Sequence, residues 1–123
     1  MSGVLPRQSP VDHVPQEQTD IVVHDDEPAE ILQAMASDTA QEIMGIVGTE
    51  PSTASEIAEA VGTTLQNTQY HLDRLSDAGL IEGVETWYSA KGKEMTVYAP
   101  TTERLVVQFG NQDTEVRTAD NNQ

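Results

Sequence analysis

Apolar positions change period once along this chain. From Ile31 to Leu80 they recur at helical spacing, and beyond Ile81 they alternate with polar residues. Pro28 suits a first helical position, with Asp25, Asp26, Glu27 and Glu30 placed to complement the positive end of a helix dipole, so a first helix is predicted from Pro28 to Met35 or Ala36. Its apolar stripe is Ile31, Leu32 and Met35. Ser37 or Asp38 then caps a second helix carrying Ile43, Met44, Ile46 and Val47, which Gly48 and Pro51 stop. Thr53-Ala54-Ser55-Glu56 has the form of a capping box and opens a third helix, with Ile57, Ala58 and Val61 inward and Gly62 at its end. A fourth is predicted within Thr63 to Leu80, burying Leu65, Thr68, Leu72 and Leu75, with Gly79 as a left-handed stop and Leu80 folding back.

Beyond this point Ile81, Val84 and Trp87, then Thr96-Val97-Tyr98 before Pro100, read as two strands. Ser89 to Lys93 forms the tip of their hairpin, with Gly92 suited to the turn. The run Arg104 to Phe109 is too short for periodicity to separate strand from helix, and a strand or irregular packing is expected. The ends differ in kind. Residues 1–27, with Pro6, Pro10 and Pro15 among polar residues, are expected to be a flexible arm in which Ile21-Val22-Val23 is a weakly ordered lead-in able to add a short strand. Residues 110–123 are expected to be a disordered tail, leaving one domain over 28–109.

Two short helices joined by a tight turn containing glycine make a helix-turn-helix, and Ala58 and Gly62 fit it: a small side chain permits close approach and glycine accepts the left-handed turn. The hairpin that follows is a wing. The predicted fold class is mainly α with a β-hairpin wing (α+β), a winged helix-turn-helix.

Charge changes the picture. The net charge is −15 with 21 acids, and Lys91 and Lys93 are the only lysines. The acids are dispersed along the chain, which reads as a solvated surface adapted to a salt-rich cytoplasm more than as an acidic partner-binding tail. Yet Ala60 to Leu72 contains no carboxylate, and Thr86 to Lys93 forms a second acid-free window. The first of these coincides with the exposed face of the fourth helix. There Gln66, Asn67, Gln69, Tyr70 and His71 offer the paired donors, acceptors and aromatic edges that read base edges in a major groove. With no Arg or Lys before Arg74, contacts to A·T pairs are expected. The plainer reading of such a face is solvated helix polarity.

Thr53, Ser55, Thr63 and Thr64 lie near helix starts, where hydroxyls and free amides bind phosphate, although for Thr53 capping alone is the favoured role. Lys91 and Lys93 are assigned to phosphate, and Trp87 and Tyr88 to packing within the wing. The basic patch expected of a DNA-binding protein is absent. Cations held between acidic protein and phosphate would let affinity fall little, or rise, with KCl, against the usual loss on counterion release.

With no cysteine, disulfides and thiolate metal sites are excluded. The cluster His24-Asp25-Asp26-Glu27 is read as solvated surface, and no metal or cofactor is expected. There is no nucleophile elbow or phosphate-binding glycine loop, so an enzyme is not expected. No apolar run is long enough for a membrane helix and no secretory signal is visible, which predicts a cytoplasmic protein.

Together, Ser37-Asp38, Thr53-x-x-Glu56-Ile57-Ala58, Gly62, Gln66 to Leu72, Leu75, Ala78-Gly79-Leu80-Ile81 and the Lys-Gly-Lys wing tip give the stretch from Ile31 to about Pro100 a family resemblance. It resembles winged helix-turn-helix regulators of the ArsR type and PadR-like proteins, especially haloarchaeal versions, and is similar in size and organisation to oxidative-stress regulators among them. The resemblance implies a homodimeric, sequence-specific transcriptional regulator that lays its fourth helix in the major groove of double-stranded promoter DNA and its wing over the backbone or minor groove. Metal-responsive derepression does not carry over, because the metal-sensing members use cysteines or carboxylate–histidine sets. Apolar residues outside the helix-turn-helix, Ile31, Leu32, Met35, Leu105, Val107 and Phe109, are assigned to the dimer interface. The competing reading is a winged-helix protein–protein interaction module of the transcription machinery. A small-molecule sensor would in addition need a pocket.

Overall fold

The computed structural model describes residues 13–23 and 28–110. In chain order these form β1 (Thr19–Val22), α1 (Pro28–Ala34), α2 (Asp38–Thr49), β2 (Ser52–Thr53), α3 (Ala54–Val61), α4 (Leu65–Asp77), β3 (Ile81–Tyr88), β4 (Glu94–Pro100) and β5 (Leu105–Gln108). A three-stranded sheet has the order β2-β4-β3, with both pairings antiparallel. A separate two-stranded ribbon pairs β1 with β5 in parallel.

Helix boundaries follow from local chemistry. Ser37 caps α2 by accepting from the amide of Ala40 at 3.0 Å. The capping box of α3 is complete: Thr53 Oγ1 accepts from the amide of Glu56 at 3.2 Å, and the Glu56 carboxylate accepts from the amide of Thr53 at 2.9 Å. Gly62 ends α3 at φ 82°, and its amide and that of Thr63 both donate to the carbonyl of Ala58. The reversal is therefore complete within Gly62, Thr63 and Thr64, the last of which caps α4 by accepting from Asn67 N at 2.9 Å. At the far end of α4 the amide of Leu80 reaches back to the carbonyl of Leu75, the long-range bond of a helix stop built on a left-handed glycine, here Gly79.

The core draws one or more residues from every helix. Ala34, Ala40, Ile43, Val47, Ile57, Leu72, Leu75, Leu80 and Ile81 form one buried cluster. It lies beneath α4, so the orientation of that helix is set by apolar burial on one side only. Leu65 departs from expectation, being 50% exposed. It is the first residue of α4, beyond the point where α3 covers the helix, and Thr68, Leu72 and Leu75 make up the buried side.

In β3 the apolar residues Ile81, Val84 and Trp87 recur every third position where simple alternation requires every second. A register shift between Gly83 and Glu85 leaves Val84 as the extra residue of a bulge. Gly83 is needed there for close approach, because a Cβ would come within 2.8 Å of the Thr96 methyl.

The segment before α1 differs most from the expected arm. Within 13–23, the part of 1–27 that is described, β1 pairs Ile21 with Val107 along β5, and Ile21 is buried. Gln16 bridges to Thr102, and the His13 ring bonds the Pro100 carbonyl at 3.0 Å. The strand option for Ile21 to Val23 is thus the one adopted, and residues 105–108 are strand because β1 supplies their partner. The remainder of the arm, including His24 to Glu27, and the tail beyond Gly110 lie outside the described residues.

Candidate nucleic-acid interface

The acid-free face of α4 is exposed along its first two turns. Thr64, Leu65, Gln66 and Tyr70 are exposed, while Thr63, Asn67, Gln69 and His71 are half-buried. The half-buried ones are already oriented. Asn67 donates from Nδ2 to Thr63 Oγ1 at 3.1 Å, which uses one donor to brace the turn and leaves its carbonyl oxygen outward. Gln69 donates to Asp73 Oδ1 at 3.0 Å and lies 3.4 Å from the Tyr98 hydroxyl of β4, so it is steered toward the wing.

One turn further on, Arg74 lies with its guanidinium carbon 5.7 Å from the Tyr70 ring centre and donates to the Tyr70 hydroxyl at 3.3 Å. His71 meets the same ring edge-on, with centroids 5.1 Å apart. Tyr70 thereby positions the one cation of α4. The Tyr70, His71 and Arg74 group borders a hollow of about 300 Å³ against the α1–α2 corner, with Gln33 and Ser37 on its opposite wall.

Between the starts of α3 and α4 and the wing runs a groove of about 230 Å³, in which Ser55, Leu65 and Gln69 face Lys93, Glu94, Met95, Thr96 and Tyr98, so one carboxylate enters the groove from the wing side. Leu65, Met95 and Tyr98 were not among the expected site residues. Exposure of an apolar residue at the first position of α4 is a signal that emerges only once α3 is in place. Thr53 also faces the groove but is only 1% exposed, and its hydroxyl is committed to the cap, so it is withdrawn from the expected phosphate contacts. Ser55, Thr63 and Thr64 keep accessible surface. The turn at Ser89 to Lys93 is closed by the Gly92 amide on the Ser89 carbonyl and by the amides of Lys91 and Lys93 on Ser89 Oγ, so both lysine side chains project from a rigid tip.

The charges around this face are arranged unevenly. Among the described residues neither Arg74, Lys91 nor Lys93 is ion-paired, although the chain carries 21 acids. Two nearby acids are engaged elsewhere, Asp73 accepting from Gln69 and Glu85 accepting from Trp87 Nε1 at 2.7 Å, while Glu94 lines the same groove as Lys93. The Glu85 bond fixes Trp87 within the wing, while Tyr88 is 49% exposed. Three cations flanking a neutral donor–acceptor surface can hold a polyanion by its phosphates while amides and hydroxyls meet groups between them.

Among the expected interface residues, Ile31, Met35 and Leu105 are half-buried and pack against the protein's own core. Leu32 is 40% exposed, Val107 37% and Phe109 79%, and these keep outward apolar surface. No group of three or more His, Asp or Glu that could hold a metal occurs among the described residues, and no helix there is long and apolar enough to cross a membrane.

Residues 35–84 match a family model described as a helix-turn-helix domain. No curated protein matches the chain. Solved structures matching 60–61% of the chain share its fold, a winged helix-turn-helix. One is the homodimeric winged helix-turn-helix DNA-binding domain of Mb0332 from Mycobacterium bovis, a possible ArsR-family transcriptional regulator: 20% identical, TM-score 0.52, covering 61% of this chain and 64% of that one. An ArsR-like transcriptional regulator from Rhodococcus sp. RHA1 is 28% identical with a TM-score of 0.51, over 60% of this chain and 64% of that one. NolR from Sinorhizobium fredii is 23% identical with a TM-score of 0.50, over 61% and 69%. The chain thus spans a little under two thirds of the length of the first of these.

Proposed function

We propose that this chain is a sequence-specific, DNA-binding transcriptional regulator of the ArsR-like kind, acting as a homodimer in a salt-rich cytoplasm. The observation that carries this reading is the exposed, acid-free face of α4, bordered by Arg74 and by the wing that holds the chain's only lysines, Lys91 and Lys93, in a chain of net charge −15. In this reading Gln66, Asn67, Gln69 and Tyr70 meet base edges. Ser55, Thr63, Thr64, His71, Arg74 and the wing lysines meet phosphate, and Leu65 packs on a thymine methyl or sugar.

The same reading includes haloarchaeal, PadR-like character and a stress-linked role. At molar salt the Debye length is about 3 Å, so repulsion between acidic protein and DNA is screened and contacts at the α4 face decide binding. The homodimer is proposed to use the outward apolar residues Leu32, Val107 and Phe109, in keeping with the homodimeric state of the mycobacterial structure.

The test is Asn67→Ala combined with Gln69→Ala, assayed on promoter fragments selected from genomic DNA at high KCl. Loss of specific binding of at least tenfold, with unchanged far-ultraviolet circular dichroism, is expected. Unchanged DNA binding by the double variant would refute the base-reading role and favour a protein partner on this face.

A further inference from the structure

A cleft of about 640 Å³ lies on the other side of α2 from the α3–α4 pair, and none of the DNA-facing residues lines it. Its floor is a flank of α2, where exposed Gly45 and Gly48, half-buried Met44 and the edge of buried Val47 face the end of β4 at Ala99 and Pro100, both buried. His13, Pro15, Pro51 and buried Thr102 complete the lining, and Glu103 is its exposed acid. Its volume falls in the range of small-molecule sites, about 300–1,000 Å³, and its walls have their composition, mostly apolar with a few polar groups.

Three observations indicate what it holds. Gly45 and Gly48 lie within α2, three residues apart, and a Cβ on either would meet nothing within 4 Å. Packing therefore does not demand glycine there, and glycine weakens a helix relative to alanine. Bare backbone at two adjoining positions keeps the cleft open. The second observation is charge: the ionisable groups lining it are Glu103 and His13, with no lysine or arginine. His13 is held by the Pro100 carbonyl at 3.0 Å and lies 3.7 Å from the Glu82 carboxylate, which leaves Glu103 as the charge available at the mouth. The third is shape. The cleft is bounded by a helix and a strand that both pack on the rest of the domain, so its walls are fixed, and only the His13–Pro15 side belongs to a thin segment held by single hydrogen bonds.

We propose that this cleft is a binding site for a small organic cation with an apolar body, its charge set against Glu103 and its body against Met44, Pro15 and the bare backbone of Gly45 and Gly48. The site stands independently of the DNA-binding reading. An occupant wedged between α2 and β4 would press on the two elements that bear on α4 and the wing, which places it where an effector of that face would act.

Tetraphenylphosphonium and tetraphenylborate have the same size and shape and opposite charge, and serve as paired probes in sodium chloride buffer by isothermal titration calorimetry on the full chain. The phosphonium is expected to bind one per chain and the borate at least tenfold more weakly. Gly45→Leu fills the cleft without strain and is expected to raise thermal stability while weakening phosphonium binding at least tenfold. Glu103→Gln is expected to weaken it roughly fivefold, the scale of a solvent-exposed ion pair. Absence of saturable binding, equal binding of the two probes, or phosphonium binding unaffected by Gly45→Leu would each overturn the proposal, the last by showing only general attraction to the acidic surface. Promoter binding measured on the Gly45→Leu variant without probe is expected to be unchanged, so failure of the DNA reading and failure of this one are read in separate assays.

Discussion

Two threonines in this domain are equally buried and should respond in opposite directions to the same substitution. Thr53 is 1% exposed and Thr68 0%. Thr53 Oγ1 accepts the amide of Glu56 and so satisfies one of the free donors at the start of α3, whereas Thr68 Oγ1, in the middle of α4, has no hydrogen-bond partner. Valine keeps the branched shape and removes the hydroxyl in both cases. Thr68→Val recovers the desolvation cost of an unsatisfied buried hydroxyl, about 1–3 kcal/mol, and is expected to stabilise by about 1 kcal/mol after imperfect repacking. Thr53→Val removes a cap and strands the Glu56 amide, so it is expected to destabilise by about 1–2 kcal/mol. Urea denaturation at fixed salt reads both. For a domain of this size about 1 kcal/mol corresponds to a shift of roughly 4–8 °C in Tm. Thr68→Ser, which keeps the hydroxyl and loses the methyl, should fall below wild type. If Thr68→Val destabilises while Thr68→Ser is neutral, the hydroxyl is satisfied in solution and the reasoning fails. Promoter affinity should not change with Thr68→Val, because Thr68 lies on the buried side of α4.

Gly62→Ala places a Cβ at φ 82° and is expected to cost about 1–2 kcal/mol in urea denaturation, loosening the turn that sets α4 against α3. If it stabilises, the left-handed turn is not maintained in solution. Leu32→Asp with Val107→Asp is expected to shift the homodimer to monomer in sedimentation equilibrium at high salt while the fold persists, since both side chains are outward and outside the core. A dimer that survives both changes would move the interface elsewhere.

Much of the fold could be read from the chain because the relevant signals are local. Ser37 as a cap, the Thr53–Glu56 box, Gly62, and the Gly79–Leu80 stop are each determined within a few residues, and each is found in place. The acid-free window likewise marked the exposed face of α4, since the absence of carboxylates needs no tertiary information to be seen. What could not be read depends on distant partners. β2 is two residues long and exists because Tyr98 and Val97 of β4 lie opposite it. The pairing of β1 with β5 joins residues more than eighty positions apart, and neither strand has a partner without the other. The bulge at Gly83 disguised the alternation of β3.

The candidate site divides in the same way. Which side chains α4 carries, that they are neutral, and that the chain's two lysines sit on one hairpin are properties of the sequence alone. The tertiary structure decided their use. It buried Thr53 beneath its own cap, turned Leu65 outward, and set Tyr98 beside Gln69. Among the described residues it left Arg74, Lys91 and Lys93 without carboxylate partners, and it kept a cleft open beside two glycines of α2. Caps and charge patterns act over one turn of helix, whereas exposure, groove shape and ion pairing depend on which distant surfaces the packing of α2, α3, α4 and the sheet brings together.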